Sequence, residues 1–291
     1  MSGFLDFILF RKKDRYGGYD LIEEVARGGM SRIWKARHPE TGEICAVKVL
    51  TSESVETQER FRSQFETGEG EIALRLNHPN VIRTFDYGRE RKGEYYICME
   101  FVDGPNLGTL TATGSDRVSE NRFRLIMQLG AGLRYIHGMG LIHRDFCPKN
   151  VLLTEEGVPK IIDFGLTIPA QLKHRATVTR AGTASYMAPE QVRNLNVDER
   201  TDIYAYGVSI FEIITFRHPF PTASTRRRRM EHHLNVRPLH LSRFDADLPQ
   251  ELDDVIQKCI AKDRDMRYKS MDEVMKDLHA AVQIAVSGSR E

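Results

Sequence analysis

The hydrophobic pattern of the chain changes near residue 100, from short strand-like runs to helical periodicity. After residue 105 helical patterns dominate, and residues 202–216 are apolar nearly all round, which predicts a buried helix. One helical stretch, near residues 54–76, interrupts the earlier part. The β-rich runs before residue 100 are YDLIEEVA, SRIWKARH, EICAVKVL, VIRTFDYG and YYICMEFV. The predicted fold class is therefore α+β and bilobal, with a small β-rich lobe followed by a larger helical lobe.

The composition excludes several classes of protein. Hydrophobic residues make up 41% and charged residues 29% of the 291 residues, which is typical of a globular protein. A net charge of +1 gives no global electrostatic reason to expect a nucleic-acid partner, and none is predicted. No apolar run approaches the roughly 20 residues that a membrane-spanning helix needs. The cysteines lack C-x-x-C and zinc spacing and are interpreted as reduced thiols of a cytoplasmic protein: Cys45, Cys98, Cys147 and Cys259.

The pattern divides the chain into four predicted segments, with a hinge near Glu100–Pro105. They are a leader (residues 1–18), an N-lobe (19–102), a C-lobe (103–280) and a C-terminal tail (281–291). Residues 4–13 of the leader begin apolar and end basic, the reverse of a signal peptide. Two alternatives stay open for this stretch. In the first, it contacts a membrane interface, and the chain would be part of a peripheral membrane protein. In the second, which we favour, it packs on the domain or on a partner.

A glycine-rich stretch, ARGGMSRIWKA at residues 26–36, lies between two strand-like runs. Adjacent glycines let a backbone turn approach phosphates closely with N–H donors, although most such pairs are simple turns. The next strand carries Ala46-Val47-Lys48. A lysine inside an apolar strand costs desolvation free energy unless it meets a fixed anion. Nucleotide phosphates would supply that anion, so Lys48 is a candidate phosphate ligand.

Such a lysine also needs a carboxylate partner when no ligand is bound. The helix predicted over residues 54–76 has Phe65 and Ile72 in its apolar stripe. Glu69 lies four residues after the first and three before the second, so it shares their face. Glu71 points about 200° away, since each residue advances roughly 100°. Glu69 is therefore the predicted partner.

Two aspartates follow strand-like sequence in the helical lobe: Asp145 in HRDFCPKN and Asp163 in KIIDFGL, with Asn150 between them. A single aspartate is more often a cap or a surface residue. Carboxylate and carboxamide oxygens, however, are hard ligands that suit Mg²⁺. With one aspartate as a metal ligand, the second could orient a hydroxyl nucleophile and accept its proton.

The ordered set of these features resembles the eukaryotic-type (Hanks-type) protein kinases, and most of all the bacterial Ser/Thr kinases. The resemblance covers about residues 19–280. Its motifs are the glycine loop, Ala-Val-Lys, the helix Glu, His-Arg-Asp-x4-Asn, Asp-Phe-Gly and Ala-Pro-Glu at residues 188–190.

The resemblance implies binding of ATP and a divalent metal. Lys48 would hold the α- and β-phosphates and pair with Glu69, while Asp163 and Asn150 would bind Mg²⁺, with Mn²⁺ as the alternative. Asp145 would orient the substrate hydroxyl. Met99 would lie at the back of the adenine pocket, and residues 100–102 would form the hinge that hydrogen-bonds adenine. The implied nucleotide-binding residues are Val25, Ala26, Arg27, Gly28, Gly29, Met30, Ser31, Ile33, Ala46, Lys48, Met99, Glu100, Val102 and Leu152.

The resemblance also implies regulation and bracing. His143 and Phe164 would stack in a regulatory core tied to Asp202, and Glu190 would pair with Arg267. Arg144, before the aspartate of the loop, could grip a phosphate bidentately. The phosphoacceptor candidates are Thr177 and Thr179, modified by trans-autophosphorylation in a transient homodimer, and Thr183 would brace Asp145.

Three departures from the family pattern matter. Ala26 and Ser31 replace the first and third glycines of the loop. Both residues are small, so the loop can still form, but they make it stiffer. Ala73 lies where the family usually has a larger apolar residue, which implies a helix that needs help to stay inward. Cys147 stands where Ser/Thr kinases have a lysine that contacts the transferring phosphate. We hypothesise that Lys149, two residues on, supplies that cation instead; the alternative is a solvated loop lysine.

The predicted function is a Ser/Thr protein kinase acting on Ser- and Thr-bearing proteins. The sequence before Ala-Pro-Glu, GTASYM, matches the Ser/Thr type, with dual specificity as the main alternative. A pseudokinase scaffold that binds nucleotide without turnover is the rival from another class. The run Arg226–Arg229 is either a solvated face or a contact for an acidic substrate or a second copy of the chain.

Overall fold

The chain divides into two units, one built mainly of strands and the other mainly of helices. The first unit runs to Asn77 and adds Ile82–Val102, and the second takes His78–Val81 and the chain from Asp103 onward. The predicted α+β fold class is confirmed. The computed structural model describes residues 15–28, 31–50, 68–90, 93–171 and 182–288.

An antiparallel sheet forms the body of the first unit. Its strands are β1 Arg15–Tyr16, β2 Tyr19–Arg27, β3 Ser31–Arg37, β4 Ile44–Leu50, β5 Thr84–Arg89 and β6 Tyr95–Glu100. They pair in the order β1-β2-β3-β4-β6-β5. Cys45, Val47 and Val49 of β4 enter a buried cluster of the sheet. Because successive side chains of a strand point to opposite faces, Ala46 and Lys48 project from the other face.

Helix α1, Glu69–Leu74, packs on this sheet. Residues 54–67, where the helix was predicted to begin, lie outside the described residues, and α1 ends before the predicted residue 76. A Cβ added to Gly70 would lie 2.6 Å from the Cβ of Tyr87 on β5. Glycine at this position therefore lets the helix lie directly against the sheet, which determines where Glu69 stands.

The second unit is mainly helical. Its helices are α2 Leu107–Ala112, α3 Asp116–Ser119, α4 Arg122–Gly138, α5 Pro189–Val192, α6 Glu199–Thr215, α7 Arg226–Asn235, α8 Gln250–Cys259 and α9 Met271–Gly288. Two antiparallel pairs of short strands accompany them: β7 Leu141–Ile142 with β10 Ile168–Pro169, and β8 Val151–Leu153 with β9 Pro159–Ile161. A 3-10 turn, Pro148–Asn150, leads into β8.

The core of the second unit forms around α6, which is buried along almost its whole length as its apolar sequence predicts. The Asp198 side chain accepts a hydrogen bond from the backbone N–H of Arg200 at 3.0 Å and so caps the start of the helix. The helix ends at Thr215, and the residue that follows it, Phe216, has a φ of 56° in the left-handed region. The buried carboxylate of Asp202 lies in its first turn.

Two elements cross the predicted segment boundaries. Strand β1 pairs with β2, so the sheet begins ahead of residue 19. Helix α9 continues past residue 280 and buries Ala281, Val282 and Ala285, so much of the predicted tail is part of the packed unit. Residues 1–14, which include the apolar stretch of the leader, lie outside the described residues.

Candidate active site

In the first unit, Lys48 and Glu69 form a buried ion pair. The Nζ of Lys48 donates a hydrogen bond to the Oε1 of Glu69 at 2.5 Å. Lys48 is 8% and Glu69 5% exposed. Glu71, on another face of α1, is only half-buried. Each charge of this pair stabilises the other, because a buried ammonium or carboxylate without a partner would keep the full free-energy cost of desolvation.

The glycine-rich stretch lies between β2 and β3, where the N–H of Gly28 donates to the carbonyl of Ser31 at 2.9 Å. Gly29 and Met30 lie outside the described residues. Ala46 is buried, while two groups of the implied nucleotide-binding residues keep accessible surface. The exposed group is Val25, Ala26, Arg27 and Gly28, and the half-buried group is Ser31, Ile33, Met99, Glu100, Val102 and Leu152.

In the second unit, the loop after β7 is anchored on α6. Asp202 accepts hydrogen bonds from the backbone N–H groups of His143 at 2.7 Å and of Arg144 at 2.8 Å. His137 Nε2 lies 2.9 Å from the same carboxylate. Burial raises the pKa of Asp202, but the contacts with His137, His143 and the N–H of Arg144 together lower it below its ordinary value. Arg144 has a φ of 68°, a strained conformation for a residue with a side chain. The anchor therefore determines the backbone direction just before Asp145.

The Asp145 carboxylate is held by two groups. The backbone N–H of Thr183 donates to Oδ1 at 2.6 Å, and the side-chain amide of Asn150 donates to Oδ2 at 3.1 Å. Burial raises the pKa of Asp145, the hydrogen bonds from Thr183 oppose this, and nearby Asp163 raises it further. Such an environment keeps the carboxylate oriented and makes it a stronger proton acceptor than an exposed aspartate.

Asp163 follows β9 and also has a left-handed backbone, with a φ of 68°. Its Oδ1 accepts a hydrogen bond from the N–H of Gly165 at 3.3 Å, and its side chain is exposed. Phe164 is buried, with its ring centroid 5.4 Å from that of His143. The N–H of Ile161 on β9 donates to the carbonyl of Asn80 at 2.9 Å. These contacts place Asp163 close enough to Asp145 for their charges to interact.

Glu190 and Arg267 form a bidentate, fully buried ion pair. The two contacts, from Nη1 and Nη2 of Arg267, measure 2.7 Å and 2.9 Å. Thr201 Oγ1 also donates to Glu190 at 3.0 Å. The side chain of Arg267 is 0% exposed and that of Glu190 is 5% exposed. This pair joins α5 to the turn before α9 and holds the segment that ends in Ala-Pro-Glu.

Sequence reasoning did not find two residues that hold this segment. The side-chain amide of Gln191 donates to the carbonyl of Arg144 at 2.8 Å, and its oxygen accepts from the N–H of Ala188 at 3.0 Å. Gly182 has a φ of 110°, and an added Cβ would lie 3.3 Å from Asp145 Oδ1. A glycine before Thr183 was the one available signal for this close approach.

Cys147 is fully buried. Its Sγ lies 3.7 Å from Thr183 Oγ1. Burial raises the pKa of Cys147 to about 12, and the Asp145 carboxylate adds to the effect. The thiolate is the reactive form of a cysteine, so this thiol is unreactive at neutral pH in the folded protein.

We therefore expect a maleimide to leave Cys147 unmodified in the native protein and to modify it after denaturation. Peptide mapping by mass spectrometry would measure the modification at each cysteine. The three other cysteines are also buried and serve as internal comparisons. Rapid native labelling of Cys147 alone would contradict a buried, protonated thiol.

Lys149 lies on the 3-10 turn and is exposed. Its Cγ packs beside Gly108 of α2, where an added Cβ would lie 2.8 Å away. Within the described residues its ammonium has no hydrogen bond or ion pair. The stem is therefore placed by packing while the charged end stays accessible. Thr177 and Thr179 lie outside the described residues.

Two neighbouring histidines, His218 and the α7 residue His233, lie beside the segment after Thr183, with ring centroids 6.0 Å apart. His218 Nε2 lies 2.8 Å from the carbonyl of Ser185, and His233 Nδ1 lies 2.8 Å from the hydroxyl of Tyr204. Burial lowers the pKa of His233 to about 3, with smaller effects of His218 and Lys262 in the same direction. Burial also lowers the pKa of His218.

This pair of histidines predicts a loss of stability on acidification. Between the ordinary histidine pKa of about 6.5 and the folded value, the unfolded chain binds a proton that folded His233 does not. Acidification from about pH 7.5 to about pH 5.5 should then cost about 1 kcal/mol through His233. Urea titrations at both pH values should show a smaller pH dependence for His233→Gln than for wild type. His279→Gln, at an exposed histidine, is the control, and an unchanged pH dependence in His233→Gln would contradict the assignment.

Comparison with known proteins decides the family. The sequence matches the family described as "Protein kinase domain" over residues 19–279. The chain belongs to the protein kinase family. This confirms the resemblance seen in the motifs.

The relatives of this kinase include bacterial proteins. The probable serine/threonine-protein kinase PknB of Lactococcus lactis is 30% identical over 275 residues, which are 94% of this chain and 43% of the relative. The serine/threonine-protein kinase PknB of Mycolicibacterium smegmatis is 34% identical over 269 residues, 89% of this chain and 42% of the relative. The serine/threonine-protein kinase PknA of Mycobacterium tuberculosis is 33% identical over 265 residues, 87% of this chain and 59% of the relative. The match thus spans between 42% and 59% of these relatives.

Membership of this family implies use of ATP and, typically, of a divalent metal. Among the described residues no group of three or more His, Cys, Asp and Glu side chains is placed to hold a metal ion by itself. Separately, none of the helices in the described ranges is long and apolar enough to span a membrane.

Proposed function

We propose that the kinase transfers the γ-phosphoryl group of Mg-ATP to serine and threonine hydroxyls of proteins. The observation that carries this proposal is the Asp145 carboxylate, held by the N–H of Thr183 at 2.6 Å and the amide of Asn150 at 3.1 Å. The serine/threonine assignment is supported by the names of the relatives and by the GTASYM sequence before Ala-Pro-Glu.

In the proposed reaction Asp145 orients the substrate hydroxyl and accepts its proton. The hydroxyl oxygen forms a bond to the γ-phosphorus as the bond from that phosphorus to the ADP oxygen breaks. Lys48, oriented by Glu69, neutralises charge on the α- and β-phosphates. The family motifs assign nucleotide binding to the residues named above for it, which are Val25 to Val102 in the first unit and Leu152 in the second. These roles follow from the family motifs at the matching positions.

Asp163 and Asn150 fit a magnesium site. Mg²⁺ usually binds through one or two carboxylates together with substrate phosphates and waters, not through a cage of protein ligands alone. Asp163 offers an exposed carboxylate, and Asn150 offers a carboxamide oxygen whose nitrogen is already oriented by Asp145. When bound there, the metal would neutralise negative charge on the nucleotide phosphates. Mn²⁺ is the alternative, since it prefers similar ligands.

Regulation by autophosphorylation is part of the proposal. The Arg144 guanidinium is buried, and its Nε has no hydrogen-bond partner among the described residues. A phosphate on Thr177 or Thr179 would give this cation a bidentate partner. The transfer would take place in trans, within a transient homodimer.

Lys149 is proposed as the cation that contacts the transferring phosphate. Its accessible ammonium supports this role, and the buried Cys147 leaves no lysine at the usual position. We expect Lys149→Ala to lower kcat by about a hundredfold or more, as loss of a transition-state charge partner does in other enzymes, and Lys149→Arg to retain part of the rate. Initial rates at saturating Mg-ATP would measure this. If a folded Lys149→Ala protein keeps kcat within a few-fold of wild type, the role is wrong.

The decisive experiment is a transfer assay with γ-labelled Mg-ATP, with and without a general protein substrate. Wild type should label the substrate and itself on serine and threonine, and Lys48→Met should label neither. A pseudokinase would bind nucleotide without transfer, and a dual-specificity kinase would also yield phosphotyrosine. Thr177→Ala and Thr179→Ala would test the phosphoacceptors by mass spectrometry.

We propose that the kinase is located in the cytoplasm, where ATP is available and cysteines stay reduced. All four cysteines are unpaired, which supports this location. Contact of residues 4–13 with a membrane remains an alternative for the leader. Co-sedimentation with vesicles, for the chain with and without residues 1–14, would test the membrane contact. Binding that is lost with these residues would support it.

A further inference from the structure

The first turn of α7 carries a concentrated positive charge. Arg226, Arg227 and Arg228 are exposed, Arg229 is half-buried, and the first turn contains no acidic residue. Arg226 and Arg229 are three residues apart, a spacing at which like charges destabilise a helix. Arg227 pairs with Glu231 at 2.9 Å, but its side chain is 90% exposed. The exposed guanidinium groups therefore make this turn a strongly positive part of the surface.

This basic turn lies next to the carboxylate proposed as proton acceptor. Arg226 Nη1 donates to the carbonyl of Gly182 at 3.3 Å. A Cβ added to Gly182 would lie 3.3 Å from Asp145 Oδ1, and the N–H of Thr183 donates to the same oxygen at 2.6 Å. One residue of backbone therefore separates the guanidinium of Arg226 from the carboxylate of Asp145.

Packing holds the basic turn in this place. Ala184 and Met187, in the segment after Thr183, share a buried apolar cluster with Met230 of α7, and Leu234 packs against it. The Thr225 side chain accepts a hydrogen bond from the N–H of Arg228 at 3.2 Å and caps the helix. The charges are thus presented by a braced helix and not by a loose loop.

We propose that the Arg226–Arg229 turn selects protein substrates that carry acidic side chains close to the phosphoacceptor hydroxyl. The proposal rests on the proposed kinase function and names its substrate class. The contacts above put the Arg226 guanidinium within roughly 10 Å of the Asp145 carboxylate, and an extended peptide covers about 3.3–3.6 Å per residue. The acidic residue therefore lies one to three positions from the phosphoacceptor.

Matched peptides test this inference. Each contains a single threonine, with aspartates at the three positions after it, at the three positions before it, or with asparagines at all six. We expect kcat/KM to be about fivefold or more higher for at least one acidic peptide than for the asparagine peptide. This preference should shrink as ionic strength rises, because salt screens exposed charges.

The double variant Arg226→Glu, Arg228→Glu should lower the acidic-to-neutral ratio of kcat/KM to one or below. Glutamates in the first turn of a helix are favourable, so the fold should survive. Arg243→Glu, which reverses an exposed arginine elsewhere in the unit, should keep the wild-type ratio.

The outcomes separate the two proposals. If wild type phosphorylates all three peptides equally, the inference is wrong and the kinase function stands. If it phosphorylates no peptide and no protein, the proposed function itself fails. If charge reversal abolishes dimerisation in sedimentation experiments but leaves the ratio unchanged, the turn serves a second copy of the chain, and the inference is overturned.

Discussion

Asp145→Asn should lower kcat for phosphoryl transfer by about a hundredfold to ten-thousandfold, the usual contribution of a positioned general base. An amide has nearly the shape of a carboxylate but cannot accept the substrate proton. Its oxygen can still accept the hydrogen bond that Thr183 donates to Oδ1 at 2.6 Å. The Asn150 amide loses its bond to Oδ2 but keeps the one it donates to the Asp145 carbonyl at 2.9 Å. The loss should therefore appear mainly in kcat, with smaller changes in nucleotide affinity and stability.

Initial-rate assays at saturating Mg-ATP and a fluorescent-nucleotide titration would measure the two quantities. Asp247→Asn, at an exposed aspartate of the same unit, is the matched control and should behave as wild type. Thermal unfolding of Asp145→Asn would establish that the variant is folded. A kcat within a few-fold of wild type in a folded Asp145→Asn protein would remove Asp145 from the mechanism.

Arg267→Met should lower the free energy of unfolding by about 3–5 kcal/mol, because it leaves the buried carboxylate of Glu190 without its partner. That is a large share of the about 5–15 kcal/mol that stabilises a typical domain. Arg267 also donates to the carbonyl of Ala261 at 2.8 Å and to that of Arg200 at 3.0 Å, and methionine cannot replace these bonds.

Urea denaturation would measure the change. The double variant Glu190→Leu, Arg267→Met should recover part of the loss, since no unpaired buried charge remains. Arg227→Met breaks an exposed ion pair instead and should change stability little. Equal effects of Arg267→Met and Arg227→Met would contradict the bracing role of the buried pair.

The fold class and much of the candidate site were accessible from local sequence patterns. Strand alternation turns Lys48 away from the core residues of β4, and helical periodicity chose Glu69 over Glu71. The observed contact of 2.5 Å between Lys48 and Glu69 agrees with that choice. The succession of short motifs led to the family, because each one combines residue types that a particular chemical step requires. Side chains repeat every two residues in a strand and every 3.6 residues in a helix. Both patterns involve residues close together in the chain, so they can be recognised in the sequence.

Contacts between distant residues required the tertiary structure. A sequence shows a cysteine at position 147 but not that packing excludes water from its thiol and raises its pKa to about 12. Nor does any local pattern join the Thr183 N–H to Asp145, Gly70 to Tyr87, or Arg226 to the carbonyl of Gly182. Burial and hydrogen bonding depend on what the rest of the chain places beside a group. The sequence by itself therefore determined which chemical groups this protein has and on which strand or helix face they lie. The tertiary structure decided which of them are buried, charged and within reach of one another.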